Sequence, residues 1–203
     1  MIVEFWWMLR EYIVLKWLTY NIGVYKYIGM IIERYGVKLE RLTENKIEMV
    51  RHWRNDQKIS QYMEYRELIT SEMQKKWFQR INNVWNYYFI INFDGNEIGM
   101  INIRDIDSER KCGEGGIFIY EDKYLNSDVS FRAALCLNDF CYEKLNLEYI
   151  VSHILCSNKR AIQFNKLLGY TLCKGQELIE NQEYVQNRET YYKSTDKIKH
   201  LFC

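Results

Sequence analysis

Two β-rich runs joined by a tight turn constrain the fold of this chain more than any other feature of its sequence. Residues 87–93 (YYFIINF) and 97–103 (EIGMINI) flank an Asp-Gly-Asn turn, which is a strong signal for a β-hairpin. A third strand is predicted at residues 115–120 (GGIFIY). The middle of the chain is therefore expected to form a β-meander, which excludes an all-helical fold.

The segment before the meander predicts one strand and two helices. Residues 37–42 (VKLERL) alternate with period two, as a half-buried strand does. Thr43 is a suitable N-cap for a helix that buries one face, formed by Ile47, Val50 and Trp53. Ser71 and Gln74 have the spacing of a capping box for a second helix, whose buried stripe is Trp77, Phe78 and Ile81.

The segment after the meander alternates between helix and strand. It predicts a helix from Asn126 to about Leu145, a strand at 149–156, a helix at 158–168 that Gly169 ends, and a final hairpin from 170–173 and 183–192. Together with the meander, this order predicts one α/β (α+β) domain over residues 37–203.

Charge and cysteine content exclude several classes of function. With 28 Lys+Arg against 27 Asp+Glu the net charge is +1, so no global field attracts nucleic acid, and no nucleic-acid partner is expected. The six cysteines form no C-x-x-C pair and only three histidines are present, so no metal site is expected. No cleavable signal peptide precedes the cysteines. We therefore interpret them as buried, reduced thiols of a cytoplasmic protein.

Residues 1–36 are dense in Trp, Tyr, Ile and Leu and differ from the rest of the chain. Charged residues, including Arg10, Glu11 and Lys16, interrupt them before a membrane-spanning length is reached. Three interpretations remain: an amphipathic helix lying on a membrane or a partner, a helix packed on the domain itself, or an upstream extension of a gene that begins at Met30. The abrupt change of composition favours the extension.

The late helix and the order of elements resemble one known family. Residues 157–170 (SNKRAIQFNKLLGY) are similar to the N-x-x-A-I-x-x-Y-x-K-x-G-F/Y helix of the GNAT (Gcn5-related) N-acetyltransferases, and residues 141–147 to the segment before its preceding strand. The resemblance covers about residues 37–193. It implies a central mixed, mostly antiparallel sheet flanked by helices, with a splayed strand pair that admits acetyl-CoA as the co-substrate.

A finer resemblance concerns the acceptor of the acetyl group. The W-R-N stretch at 53–55, the Tyr-Met at 62–63 and the Q-x-x-W-F pattern at 74–78 are most like the enzymes that acetylate UDP-linked amino-sugars of the pseudaminic-acid type. This resemblance implies an acceptor site that includes Arg54, Tyr62, Met63 and Tyr65. Arginine suits phosphate oxygens, and the aromatic rings suit a base or a sugar.

The resemblance also implies a set of cofactor-binding residues. A backbone N–H on the strand is expected to meet the thioester carbonyl, and the loop before the next helix is expected to hold the pyrophosphate. The implied residues are Ile117, Phe118, Ile119, Lys123, Asn126, Ser127, Asp128, Val129, Ser130, Asn158, Ala161 and Phe164. Asn158 has a second interpretation, as the N-cap of its helix.

The phosphate loop departs from the family pattern Q/R-x-x-G-x-G/A. Asn126 and Asp128 replace both glycines. Asparagine and aspartate are the non-glycine residues that best tolerate left-handed backbone, so the loop shape is expected to survive. The Asp128 carboxylate would repel a pyrophosphate unless its side chain turns away, and the alternative is that it caps the helix itself. Lys123 would offset part of the repulsion.

For the proton transfers, the resemblance points to an acid beside the strand and a tyrosine on the late helix. Glu114 is the catalytic candidate, because the acceptor ammonium must lose a proton before attack. His153 is a second candidate, although a hydrogen-bonded structural role is the preferred interpretation. Many family members protonate the leaving thiolate with a tyrosine where this chain has Asn165, and asparagine cannot serve as that acid.

The sequence therefore predicts an acetyl-CoA-dependent N-acetyltransferase that acts on a small-molecule amine, with a nucleotide-linked amino-sugar as the preferred acceptor. Two alternatives stay open. One is a protein N-terminal acetyltransferase of the ribosomal-protein type, and the other is a degenerate, non-catalytic binding protein of the same fold. Membrane-surface contact through residues 1–36 and a homodimer are both compatible with the sequence.

Overall fold

A computed structural model of the chain describes residues 29–202 and contains one eight-stranded sheet with helices on both faces. The strands are β1 (Ile31–Arg34), β2 (Val37–Arg41), β3 (Tyr87–Phe93), β4 (Asn96–Asp107), β5 (Cys112–Ile119), β6 (Tyr149–Leu155), β7 (Thr171–Leu172) and β8 (Asn181–Asn187). Their order is β1-β2-β3-β4-β5-β6-β8-β7, and within residues 29–202 only β5 and β6 pair in parallel. The predicted mixed, mostly antiparallel sheet is confirmed.

Six α-helices flank the sheet in the described residues. They are α1 (Ile47–Asn55), α2 (Gln57–Ser60), α3 (Ser71–Ile81), α4 (Val129–Glu143), α5 (Lys159–Leu167) and α6 (Arg188–Lys199). The longest of them has 15 residues, and no helix between residues 29 and 202 is long and apolar enough to cross a membrane.

Alternation of side chains along the strands divides the core into two layers. On the face that we name the α1 face, Ile90 of β3 packs with Val50 of α1 and Phe78 of α3. On the opposite face, named the α4 face, Phe89 of β3 packs with Phe140 of α4 at a ring-centroid distance of 6.2 Å. Burial of these apolar side chains is the main force that holds both helix layers on the sheet.

The predicted helix N-termini are wrong in detail. Thr43 makes no capping hydrogen bond, because a 3-10 turn (Glu44–Lys46) lies between it and α1. The Ser71–Gln74 capping box does not form either. Thr70 is the cap of α3 and accepts from the Met73 N–H, while the buried Gln74 amide donates to the Ile47 carbonyl at 2.9 Å. The three side chains predicted to be the buried face of α1 are all buried, as predicted.

Two elements at the ends of the domain were not predicted. Strand β1 pairs with β2 from Ile31 to Arg34, so this hairpin extends across the predicted boundary at residue 36. The predicted hairpin strand 183–192 is wrong after Asn187, where α6 begins. Asn187 and Thr190 form a capping box that starts this helix. The expectations for residues 1–28 lie outside the described residues.

The described cysteines are free thiols. Cys136 and Cys141 are buried in α4, and burial raises the pKa of the Cys136 thiol to about 12. Cys112, Cys156 and Cys173 are only half-buried, so the expectation of buried thiols is correct for two of the five described.

Candidate active site

A gap opens where β5 and β6 part. The two strands pair from Cys112–Tyr149 to Glu114–Val151 and then separate, while β5 continues along β4 to Ile119. The Tyr120 N–H donates to the Ile98 carbonyl of β4. Because N–H groups alternate in direction along a strand, those of Ile117 and Ile119 point away from β4 and into the gap. The predicted splayed pair is confirmed, and it presents open backbone donors.

Two consecutive glycines of β5, Gly115 and Gly116, lie where the strands part. A Cβ atom at Gly115 would lie 3.1 Å from Ile150 Cγ2, and one at Gly116 would lie 3.1 Å from the Asn102 side-chain oxygen. Side chains at either position would therefore crowd the place where the strands part.

The loop at residues 120–128 carries the chain from β5 to the N-terminus of α4. The Asp128 carboxylate binds Arg132 at 2.7 Å and makes no capping hydrogen bond. The alternative in which Asp128 caps α4 is therefore wrong, and its side chain is held along the helix. The Ser127 hydroxyl accepts from the Val129 N–H at 3.4 Å, and Asp128 caps none of the other first-turn N–H groups. N–H groups of this kind can bind an anion at a helix N-terminus.

The loop does not have the backbone conformation that the sequence suggested. Asp128 has φ −81° and ψ −2°, and Asn126 is not among the non-glycine residues of the described chain with positive φ. The expectation of left-handed backbone at these two positions is wrong. Ser127 instead braces the turn, since its hydroxyl donates to the Tyr124 carbonyl at 2.8 Å. Lys123 lies in a 3-10 turn with its ammonium 4.7 Å from the Tyr124 ring centroid.

Helix α5 lies on the α4 face beside the gap. Phe164 packs edge-on against Phe131 of α4, with a ring-centroid distance of 6.4 Å. The Asn158 side chain accepts from the Ala161 N–H at 3.0 Å, which is the capping role. The Asn165 amide donates to the Ala161 carbonyl at 2.9 Å, so this side chain is directed along its own helix.

The α1 face of the gap carries a row of ionisable side chains. Glu114 is the last β5 residue paired with β6, and its side chain is 22% exposed. Its Oε1 accepts from Arg104 at 2.5 Å and lies 3.3 Å from His153 Nδ1. The other imidazole nitrogen lies 3.7 Å from Glu183. Glu114 Oε2 has no partner in residues 29–202, so one carboxylate oxygen remains open to a ligand or to water.

Arg54 lies at the end of α1, above the same face. Its guanidinium stacks near Trp77, 5.7 Å from the ring centroid, and has no ion pair or hydrogen bond within residues 29–202. Burial lowers its pKa, and the nearby charge of Arg104 acts in the same direction. An arginine still stays charged near neutral pH, so this side of the cleft holds a cation without a carboxylate partner.

The loop after α1 carries the other predicted acceptor residues. Tyr65 lies close enough to Arg54 to act on its charge and is 45% exposed. Tyr62 is more exposed than Tyr65. Met63, in the turn before Tyr65, is half-buried. The two hydrogen bonds between the Asn55 side chain and the Ile69 backbone anchor the far end of this loop to α1.

Several side chains at the gap were not recognised in the sequence. They are Tyr88, Asn102, Arg104, Tyr170 and Glu183. The register of the β4–β5 hairpin would have paired Arg104 with Glu114. The remaining side chains come to the gap only because particular strands are neighbours in the sheet. No local sequence pattern predicts which strands will be neighbours.

Comparisons with known proteins agree with this geometry. A sequence profile described as the acetyltransferase (GNAT) domain matches residues 37–171, more than half of the chain. Among curated protein sequences none matches. Solved structures include FdhC, described as a nucleotide-linked sugar GNAT, in its apo form. It has 20% identity and a TM-score of 0.72, and the match covers 87% of this chain and 100% of that one.

Two further structures have the same fold. The spermidine N-acetyltransferase from Vibrio cholerae, in complex with CoA and spermine, has 16% identity and a TM-score of 0.66, and the match covers 77% of this chain and 98% of that one. An aminoglycoside acetyltransferase in complex with coenzyme A has 16% identity and a TM-score of 0.65, with coverage of 79% and 99%. These likenesses show the fold, and the profile match shows the family. The chain belongs to the GNAT acetyltransferase family.

Proposed function

We propose that this protein transfers an acetyl group from acetyl-CoA to the primary amine of a nucleotide-linked amino-sugar, by direct attack of the amine on the thioester. The observation that carries the acetyl-CoA part is the gap between β5 and β6, where β5 N–H groups without a strand partner lie between the N-terminus of α4, which Asp128 does not cap, and a row of ionisable side chains.

Residues of the α4 face would hold the co-substrate. The N-terminal turn of α4, with Val129 and Ser130, faces the pyrophosphate, and Lys123 adds a positive charge to the loop. The N–H of Ile117 or Ile119 donates to the thioester oxygen and stabilises the negative charge that develops there. Acetyl-CoA supplies the activated acyl group, and the backbone of β5 orients it.

On the α1 face, Glu114 would take the proton of the acceptor ammonium. Arg104 and His153 both bind its Oε1, so the open Oε2 is the atom that meets the ammonium or a relaying water. Deprotonation must precede attack because an ammonium has no lone pair.

Arg54 supports an anionic acceptor. A half-buried guanidinium with no carboxylate partner among residues 29–202 is matched by a phosphate or carboxylate of the ligand, which bidentate hydrogen bonds would hold. The same positive charge, with Arg104 beside it, disfavours a polycation in that part of the cleft. FdhC, named for a nucleotide-linked sugar, has the same fold, which agrees with this choice.

Binding of acetyl-CoA by isothermal titration calorimetry tests the co-substrate. We expect micromolar affinity, and we expect the release of CoA thiol when a UDP-amino-sugar is added. Absence of acetyl-CoA binding would refute the acetyltransferase proposal for this chain. Turnover with spermidine or with a peptide N-terminus, and none with the UDP-amino-sugar, would refute the acceptor.

Replacement of Arg54 tests the acceptor site. We expect Arg54→Gln to raise the KM for the UDP-amino-sugar roughly tenfold to a hundredfold, because a charge-assisted pair of this kind contributes about 1.5–3 kcal/mol. The KM for acetyl-CoA should stay within about twofold, since Arg54 lies on the opposite side of the sheet from α4. Arg80→Gln, at an exposed position of α3, removes the same charge and should leave both constants unchanged. An equal effect of both variants would contradict the assignment.

A further inference from the structure

The Asn102 side chain lies on the α1 face beside the point where β5 and β6 part, and its amide has no hydrogen-bond partner within residues 29–202. The residue is only 9% exposed. A Cβ atom at Gly116 would lie 3.1 Å from its amide oxygen and 3.5 Å from its amide nitrogen, so the amide borders the space above this glycine. Buried amides nearly always have partners, so Asn102 indicates a polar ligand atom in that space.

The space above Gly116 lies on the path of the acceptor amine. Glu114 and Gly116 are alternate residues of β5, so both belong to the α1 face, with about 7 Å between their Cα atoms. The N–H groups of Ile117 and Ile119, which would hold the thioester carbonyl, lie beyond Gly116 on the same strand. An acceptor that reaches from Glu114 to that carbonyl therefore passes over Gly116 and beside the Asn102 amide.

The chemistry of an amide indicates which ligand group it binds. The Asn102 side chain has one oxygen that accepts hydrogen bonds and an NH2 group that donates them, and neither has a partner in the described residues. A hydroxyl group can donate to the oxygen or accept from the nitrogen, whichever way the amide is turned. An ammonium can only donate and a phosphate oxygen can only accept, so neither can pair with both sides of the amide.

We propose that Asn102 binds a hydroxyl group of the sugar ring that carries the acceptor amine. This inference rests on the proposed function and narrows its acceptor to amino-sugars in which that ring keeps such a hydroxyl. The amine would lie at the open Oε2 of Glu114 and the hydroxyl would lie over Gly116. Because these two residues are so close along β5, a single ring can span both positions. Asn102 is then a specificity-determining residue.

Tyr88 lies next to Asn102 in the sheet but suits a different part of the acceptor. The register pairs Tyr88 with Asn102 and Asn102 with Gly116, so the three form one row on the α1 face. Tyr88 is 7% exposed, and its hydroxyl has no hydrogen-bond partner among residues 29–202. Burial raises the pKa of Tyr88, while the nearby charges of Arg104 and Arg54 act in the opposite direction. A phenol close to two guanidinium groups suits an anionic group of the acceptor.

A series of acceptors tests the role of Asn102. The UDP-amino-sugar is compared with analogues that each lack one hydroxyl group of the amine-bearing ring. We expect the unmutated protein to lose about tenfold in kcat/KM with one of these analogues, because the buried amide then lacks its partner. Asn102→Ala should lower kcat/KM for the complete acceptor by a similar factor and should no longer discriminate against that analogue. Its KM for acetyl-CoA should stay within about twofold of the unmutated value.

Tyr88→Phe is the matched control, since it removes the other unpartnered polar group of the row. It should lower kcat/KM for all of these acceptors by the same factor, so that the discrimination is kept. Loss of the discrimination in Tyr88→Phe would refute the role of Asn102, and so would an Asn102→Ala variant that still discriminates.

The unmutated protein alone also provides a test, which does not depend on how the variants fold. Equal kcat/KM with every analogue would refute the role of Asn102, while acetyl transfer to the UDP-amino-sugar would still stand. If the complete UDP-amino-sugar is not acetylated, the proposed acceptor itself fails.

Discussion

Glu114→Gln is expected to lower kcat/KM for the acceptor amine by about 10²-fold or more, which is the usual contribution of a positioned general base. The amide keeps the size of the side chain and an oxygen for Arg104, but it cannot take a proton from the ammonium. The loss should shrink as the pH rises toward the pKa of the acceptor, because free amine then forms in solution. Initial rates over a pH series, with the amine that the acceptor assay identifies, measure both effects.

Glu183→Gln is the control for this prediction. Glu183 is also a carboxylate of the α1 face beside His153, but it lies on β8, and its contact with the imidazole is 3.7 Å against 3.3 Å for Glu114. The control variant should keep activity within about threefold. Glu114 would not be the base if its variant kept most of the activity, or if both variants lost the same factor at every pH.

Local sequence patterns predicted most of the sheet and its helices. The Asp-Gly-Asn turn and the period-two runs located β3, β4 and β5, and helical spacing located α1, α3 and α4. The errors lie where tertiary contacts override local signals. The position of Gln74 predicts a capping residue, but its amide donates to the Ile47 carbonyl across the interface between α3 and α1. Helix α6 begins at the capping box of Asn187 and Thr190. This box lies inside residues 183–192, whose composition favours a strand.

Only part of the candidate site could be predicted from the sequence, again because tertiary contacts decide which side chains meet. Glu114 and Arg54 could be selected by residue type and by their position relative to predicted elements. Tyr170 could not, because its hydroxyl reaches Gly115 only after β5, β6 and α4 are assembled. For the Asp128 side chain the sequence left two alternatives open, a helix cap and a carboxylate that turns away. The sequence places Arg132 four residues later, yet the ion pair that turns the carboxylate along α4 competes with a cap, and only the structure decides between them.

A buried carboxylate joins the two elements that the sequence did not predict. Asp139 of α4 is 1% exposed and accepts from Tyr35, in the β1–β2 turn, at 2.5 Å. Its other oxygen accepts from Tyr191 at 2.7 Å and from Lys199 at 2.8 Å, both on α6. Arg34 also lies 2.8 Å from it. The charge of Asp139 is therefore shared among four donors, two from the first hairpin and two from α6.

Asp139→Asn is expected to destabilise the domain by about 3–5 kcal/mol, because it removes the charge of the buried carboxylate that pairs with the mostly buried Lys199 ammonium. For a chain of this size that loss lowers Tm by roughly 6–20 °C in a thermal melt. Asp196→Asn is the control, since Asp196 also contacts Lys199, at 3.5 Å, but its side chain is 63% exposed. Exposed ion pairs contribute little, so the control should melt within about 2 °C of the unmutated protein. Equal melting of the two variants would mean that Asp139 does not hold α6 and the first hairpin on the domain.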